Sequence, residues 1–290
     1  MGMYLLFYLL FYPLSLLPMG VLYAIAYLFY LIANYLLQYR KKVITQNLLN
    51  SFPDKNEKEI AHLRNLYYHH LAQIAAEMLK MLTISRKQVL KRYHCENPEV
   101  VNQFFEQGRS VILMSSHYNN WEWMVLSLDL QYKQKGIGVG KANSNKHFEK
   151  LINIARTRYG TEVVFADHVR ECFEYYEQTH QPAAYMMLSD QSPNNVNKSY
   201  LTTFMNQPSA MIFGAEHFAK KYNLPVVYYE VIKTKKGYYK IVNHLITTQP
   251  NVTDHGEITE KYVQLLQKTI QNNPQYWLWS HRRWKLTVKS

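Results

Sequence analysis

His117 and Glu122 are the pair whose residue types and spacing best suit acid–base chemistry. They follow residues 111–114, an apolar, β-branched run that predicts a buried strand. A helix turns about 100° per residue, so side chains five positions apart in one helix would diverge by about 140°. We therefore expect His117 in the loop after the strand and Glu122 in the first turn of the next helix, folded back toward the imidazole. A histidine with a carboxylate behind it suits a general base.

The same segment has a second interpretation. Asn119 and Glu122 have the spacing of a helix capping box, in which case His117 would be only a hydrogen-bonded loop residue. Ser115 and Ser116 lie beside the histidine without the G-x-S-x-G pattern of an activated serine. If His117 is a base, we expect it to act on a hydroxyl of a bound substrate.

Two further segments carry candidate site residues. Asp190 and Gln191 follow the apolar run 183–188, at the position where α/β sheets build their sites, although they could also cap the loop 189–197. The C-terminal segment from Trp277 combines aromatic rings with cations, including Arg282 and Arg283. Such a segment suits either a lipid-phosphate contact or an aromatic plug in the core.

Short β-rich runs alternate with helical patterns from residue 98 onward. Such alternation predicts an α/β fold with a central mixed sheet flanked by helices. Strands are expected at 111–114, 137–139, 163–165, 183–188 and 224–232, and helices at 56–82, 168–179 and 208–222. His62, His69 and His70 lie on the first of these helices. They lack the carboxylates of a metal site, so we predict no metal there.

Composition excludes several classes of protein. The 290 residues are 48% hydrophobic and 19% charged, unlike a disordered tail, a collagen repeat or a multi-span transporter. Two cysteines, Cys95 and Cys172, do not make a disulfide scaffold, and a reducing compartment fits them better. The net charge of +12 predicts an anionic partner.

The charges are unevenly placed. Residues 1–39 contain no Asp, Glu, Lys or Arg, and residues 20–37 would span roughly 27 Å as a helix. Arg40, Lys41 and Lys42 follow directly. We predict an uncleaved membrane anchor at 1–39 and a body at 40–290 held on the cytoplasmic side. The alternative is a hydrophobic helical hairpin buried within the protein.

His117-x4-Glu122 after an apolar strand resembles the H-x4-D/E signature of the glycerolipid and lysophospholipid acyltransferases. Further segments narrow the resemblance to the late acyltransferases of lipid A biosynthesis, the lauroyl and myristoyl transferase branch, and the match runs nearly end to end. These segments are Tyr39-Arg40-Lys41-Lys42-Val43, Asn47-Leu48, Ser51-Phe52-Pro53, Asp190-Gln191 and the closing Pro274-Gln275-Tyr276-Trp277-Leu278-Trp279-Ser280-His281-Arg282-Arg283-Trp284-Lys285.

The resemblance implies an acyltransferase at the inner membrane. His117 would be the base and Glu122 its partner, with an acyl thioester of acyl carrier protein or coenzyme A as co-substrate and no other cofactor. The acceptor would be an anionic lipid. The family commonly has a Tyr-Arg-Pro-like segment after the next strand, where this chain has Gly140-Lys141-Ala142-Asn143. Lys141 would supply a point charge there instead of a bidentate arginine.

Two rival functions remain at the level of sequence. One keeps the catalyst but changes the acceptor to a lysophospholipid or an acylated amino-acid lipid, because the His117 and Glu122 pair specifies no headgroup. The other is a non-catalytic basic protein that binds anionic membranes or nucleic acid. The sequence has no helix-turn-helix, RNP or zinc-finger pattern, so we predict no nucleic-acid partner.

Overall fold

The computed structural model describes residues 7–142 and 145–286. Residues 1–6 of the predicted anchor and Asn143 of the segment after the third strand lie outside the described residues, as do residues 287–290 of the predicted body.

Seven strands form a mixed sheet in the order β1-β9-β8-β2-β5-β3-β4. β8 and β9 are antiparallel and the other neighbours are parallel. β6 and β7 form a separate antiparallel hairpin. The strands are β1 (Tyr93–Cys95), β2 (Val111–Ser115), β3 (Lys135–Gly140), β4 (Glu162–Phe165), β5 (Ala183–Leu188), β6 (Ser199–Phe204), β7 (Gln207–Ile212), β8 (Val226–Lys235) and β9 (Tyr238–Thr247).

Helices cover both faces of the sheet. Successive β2 side chains alternate between two core clusters, with Ile112 and Met114 in one and Val111 and Leu113 in the other. The helices are α1 (Tyr12–Leu16), α2 (Met19–Leu31), α3 (Lys41–Ser51), α4 (Glu57–Lys80), α5 (Arg86–Arg92), α6 (Glu99–Glu106), α7 (Trp121–Gln131), α8 (Lys146–Arg156), α9 (Val169–Gln178), α10 (Gly214–Tyr222) and α11 (Glu257–Asn272).

The predicted fold class, a mixed α/β architecture with a sheet flanked by helices and an apolar N-terminal helix, is confirmed. The helix predicted over 208–222 is wrong in its first part, because β7 occupies Gln207–Ile212 and α10 begins at Gly214. Met205 and Asn206 have φ values of 50° and 63° and form a two-residue hairpin turn. That turn type returns the chain along β6, so residues 207–212 pair with a strand instead of coiling.

The apolar N-terminal segment up to residue 39, called the leader below, packs along one face of its helix α2 on the rest of the protein. Leu22, Tyr23 and Ala26 of α2 are buried, and the Tyr23 hydroxyl donates a 2.8 Å hydrogen bond to Glu77 of α4. The opposite face, including Leu28 and Phe29, is exposed. Met19–Leu36 is long and apolar enough to cross a membrane, judged by length and composition only.

Candidate active site

Strand register brings His117 and Asp190 together. β2 and β5 are parallel neighbours in which Ser115 pairs with Leu188. His117 and Asp190 each lie two residues beyond that last pair, so they leave the sheet at the same edge and side by side. This edge carries the carboxyl ends of parallel strands, where α/β proteins place their sites. The predicted loop position of His117 is confirmed, since β2 ends at Ser115 and α7 begins at Trp121.

Asp190 is buried and accepts three hydrogen bonds. His117 Nδ1 lies 2.8 Å from Oδ1, while the His117 backbone N–H at 2.9 Å and the Trp277 Nε1–H at 2.8 Å both donate to Oδ2. Burial alone would raise the pKa of Asp190, but attraction to His117 and the hydrogen bonds from His117 and Trp277 outweigh it and hold the pKa below its usual range. Asp190 is therefore a carboxylate near neutral pH.

An ionised Asp190 fixes the tautomer of His117. A carboxylate can only accept, so Nδ1 carries a hydrogen, and in the neutral imidazole the lone pair is then on Nε2. The side-chain nitrogen of Gln191 lies 3.1 Å from Nε2, in position to donate to that lone pair. This is the arrangement of a general base with its orienting carboxylate. Of the sequence-predicted site residues, the structure thus brings His117, Asp190 and Gln191 into direct contact.

Glu122 does not fold back onto the imidazole, which corrects our expectation from its spacing. Its two oxygens instead accept hydrogen bonds of 2.7 Å from Arg156 Nε and Nη2. The capping-box alternative is also wrong, because the cap of α7 is Asn120, whose side chain accepts from the Trp123 N–H. Asn119 instead adopts a left-handed conformation with φ of 57°. Because α7 is capped at Asn120, one residue later than expected, Glu122 lies on the side of α7 that faces α8.

Glu122 and Arg156 line a cleft of about 200 Å³ beside the His117 loop. Trp121 links the two features, because its ring lies 5.7 Å from that of His117 and also lines the cleft. Lys141 is at the same cleft, and its ammonium is 3.4 Å from Asn194 Oδ1. The apolar part of the lining comes from Met78, Phe148, Ile152 and Phe165. The cleft thus joins two cations, Lys141 and Arg156, and two carboxylates, Glu122 and Glu149, to a hydrophobic wall.

The C-terminal segment packs against the loop that carries His117. Trp277 and Tyr118 form an isolated antiparallel β-bridge. The Tyr276 backbone carbonyl accepts a 2.9 Å hydrogen bond from the Asn119 N–H. Arg283 is buried and donates to the Ala210 carbonyl at 2.8 Å. Burial lowers its pKa to about 10, although nearby Asp190 opposes the change. For Arg283 these contacts favour the core interpretation.

Arg282 differs from Arg283 in exposure, because its side chain lies at the surface. It therefore stays a candidate for contact with a lipid phosphate.

A family profile described as bacterial lipid A biosynthesis acyltransferase matches residues 2–286, nearly the whole chain. The chain belongs to this family. It is therefore an acyltransferase of lipid A biosynthesis. A search of curated proteins found no match.

Two residues near the acyltransferase's site were not singled out as candidates from the sequence. Arg156 lies on α8, far along the chain from Glu122, and nothing in its local sequence marks it as a partner. His281 lies within the C-terminal segment, and its Nε2 accepts a 3.3 Å hydrogen bond from the Ser192 N–H. Burial lowers the pKa of His281 to about 4, so it is neutral at physiological pH. The histidine of the W-x-W-x-H-R-R-W-K segment was the available signal.

Residues from the beginning of the acyltransferase body hold this segment in place. Arg40 Nη1 donates to the Ser280 carbonyl at 2.9 Å, and the Asn47 amide donates to the carbonyls of Trp279 and His281 at 2.8 and 2.9 Å. Arg40 and Asn47 belong to the segments 39–43 and 47–48 that carry the resemblance. Their hydrogen bonds show that these two segments position the C-terminal segment. Within residues 7–142 and 145–286, no group of three or more His, Cys, Asp or Glu side chains is placed to hold a metal ion.

Proposed function

We propose that this acyltransferase moves a fatty acyl chain from an acyl thioester, carried by acyl carrier protein, to a hydroxyl of a lipid A precursor. The contact of His117 with an ionised, buried Asp190 carries the proposal, because it leaves Nε2 as a proton acceptor beside a cleft. The family supplies the substrate class.

In the proposed reaction His117 Nε2 takes the proton of the acceptor hydroxyl while the hydroxyl oxygen attacks the thioester carbonyl. The tetrahedral intermediate collapses, the carbon–sulfur bond breaks, and the imidazolium returns its proton to the leaving thiolate. An ester and a thiol result, and no acyl-enzyme forms. Asp190 stabilises the imidazolium, and such positioned base catalysis contributes typically about 10²–10⁴ in rate. Alignment of the two substrates supplies a further part.

Gln191 and the cleft residues have proposed roles in binding. The acceptor hydroxyl replaces the Gln191 amide at Nε2, and that amide then orients the hydroxyl. Glu122 fixes the Arg156 guanidinium through a fork of two hydrogen bonds, and Arg156 and Lys141 bind the anionic acceptor. In this proposal Glu122 is a positioning residue for the acceptor.

The exposed apolar face of α2 supports a peripheral arrangement at the inner membrane. α2 and the π-helical turn Ile32–Leu36 that follows it lie along α4, since Tyr23 contacts Glu77 and Asn34 donates to Asn65 Oδ1 at 3.2 Å. A helix held this way can bury its free face in the bilayer surface. We infer that in this arrangement Arg40, Lys41 and Lys42 contact the anionic headgroups of the cytoplasmic leaflet.

The test supplies the purified full chain with an acyl carrier protein thioester and a lipid A precursor. We expect an acylated lipid product by mass spectrometry. Ester formation with a lysophospholipid but not with the lipid A precursor would overturn the acceptor assignment. Binding of both substrates without any ester product would overturn the catalytic one.

A further inference from the structure

A second cavity of about 340 Å³ lies between α2 and α4 and shares no lining residue with the cleft beside His117. Tyr23, Tyr27 and Ala72 supply part of its wall, and His69, Gln73 and Lys236 supply polar groups. The volume is at the lower end for a small-molecule site, large enough for a headgroup and too small for a whole lipid.

One cation, Lys236, lines this cavity, and two more lysines lie on the same hairpin. The β8–β9 hairpin carries Lys233, Lys235 and Lys236, and within residues 7–142 and 145–286 no carboxylate oxygen lies within 4.0 Å of their ammonium groups. The Lys236 ammonium sits 4.5 Å from the Tyr23 ring centroid. Gly237 follows it in the turn, where any larger residue would meet the Tyr23 hydroxyl. The hairpin tip is therefore seated on the leader.

A chain of polar contacts leaves one ring N–H available. Lys233 donates to Gln73 Oε1 at 2.7 Å, and Gln73 Nε2 donates to His69 Nδ1 at 3.1 Å. Since Nδ1 accepts, the His69 hydrogen lies on Nε2, which can donate to an anion. Burial lowers the pKa of His69, and the nearby positive charges of Lys236 and Lys233 lower it further.

The surroundings indicate what kind of anion binds. On α2 the exposed side chains of Val21, Leu28 and Phe29 form an apolar surface next to the cavity. A cavity lined by a lysine and two polar side chains that adjoins an apolar helix face matches the phosphate layer of a bilayer above its acyl chains.

We propose that this cavity binds the phosphate headgroup of an anionic glycerophospholipid, with the acyl chains along the exposed face of α2. The lipid is not the acceptor, because the cavity is separate from the catalytic cleft. The proposal rests on the membrane arrangement proposed above and not on the reaction at His117. Its role is to fix the leader and the β8–β9 hairpin at the membrane surface.

The test is a binding titration of the full chain in nonionic detergent, with short-chain phosphatidylglycerol and phosphatidylcholine as probes. We expect tighter binding of phosphatidylglycerol, and Lys236→Gln should weaken it about fivefold, since a lysine at a membrane surface contributes about 1 kcal/mol. Lys268→Gln removes the same charge from the exposed surface of α11 and should change binding less than twofold. Equal losses in both variants would show general electrostatic attraction and overturn the site.

Two further measurements distinguish a lipid headgroup in the cavity from a lipid bound elsewhere and from a free ion. Ala24→Trp adds bulk at an exposed position of the lining and should remove the preference for phosphatidylglycerol although it adds apolar surface. An unchanged preference would overturn the cavity as the site. Inorganic phosphate should compete no better than chloride at equal ionic strength. Full competition by phosphate would mean that the cavity takes the free ion and would overturn the lipid assignment. No acyl donor is present, so these results are independent of catalysis.

Discussion

The guanidinium of Arg156 binds the carboxylate of Glu122 through two hydrogen bonds of 2.7 Å, which joins α8 to the first turn of α7. The carboxylate is 4% exposed and the guanidinium side chain 23% exposed. Loss of the arginine leaves a buried charge without a partner, whereas loss of the carboxylate leaves a cation that water can reach.

The first prediction follows from this asymmetry. Arg156→Gln should lower the free energy of unfolding by about 1.5–3 kcal/mol, and Glu122→Gln should lower it by less. The double variant should be no less stable than Arg156→Gln alone, since the interaction is already lost. Urea unfolding of the four proteins measures this. Additive losses, or a larger loss for Glu122→Gln, would contradict the pairing.

The second prediction concerns Asp190. Asp190→Asn removes the anion that stabilises the imidazolium and turns one acceptor into a donor facing N–H groups, so turnover should fall by about 10²–10⁴. Trp277→Phe removes only one of the three donors to Asp190 and should reduce turnover less. Initial rates of ester formation, with circular dichroism as the folding check, measure both.

Asp167→Asn is the matched control, because this aspartate is exposed and its contact with His168 is 3.8 Å long. It should leave turnover unchanged. If Asp190→Asn behaves like this control, the base does not depend on Asp190.

The sequence predicts the strands that carry the site but not which strands lie next to each other in the sheet. Residues 111–114 and 183–188 are recognisable because they are apolar runs bounded by polar segments. Packing of the whole sheet decides that β5 lies beside β2. The sequence therefore indicated both His117 and Asp190 as candidates but not that their side chains are in contact. Glu122 was expected to be the partner of His117 because it is the nearest carboxylate along the chain and lies in the first turn of the next helix. The cap at Asn120, one residue later than expected, turned Glu122 toward Arg156 instead.

The third prediction concerns Glu77, a buried carboxylate that connects the leader to the loop that carries His117. It accepts hydrogen bonds from Tyr23, from Tyr239 and from Asn120, the residue that caps α7. Burial raises its pKa, although those hydrogen bonds act in the opposite direction. Glu77→Gln keeps the shape, but its amide NH2 group faces one donor at the Oε1 position or two at the Oε2 position. The free energy of unfolding should fall by about 1–3 kcal/mol.

Tyr23→Phe is the comparison, because it removes one donor and leaves the carboxylate with two. It should cost about 1 kcal/mol. Urea unfolding with constant m-values distinguishes the two variants. Equal stability of Glu77→Gln and the unmodified protein would show that the connection contributes nothing to the fold.

The fourth prediction is a pH dependence of stability. His281 has a pKa of about 4 in the folded protein and about 6.5 when unfolded, so the unfolded chain binds the extra proton between these values. Stability from neutral His281 is fully present above pH 6.5 and is lost as the pH falls toward 4. His281→Gln should flatten the decline of unfolding free energy across this window. An unchanged slope would contradict the burial of His281.

The central claim is that His117 removes the proton of the acceptor hydroxyl, and single-turnover transfer with His117→Ala tests it most directly. The measurement follows ester formation from a saturating acyl carrier protein thioester and lipid A precursor in rapid-quench samples. We predict that the rate falls by about 10²–10⁴ while both substrates still bind and the circular dichroism spectrum is unchanged. Transfer by the alanine variant at the rate of the unmodified protein would contradict the account.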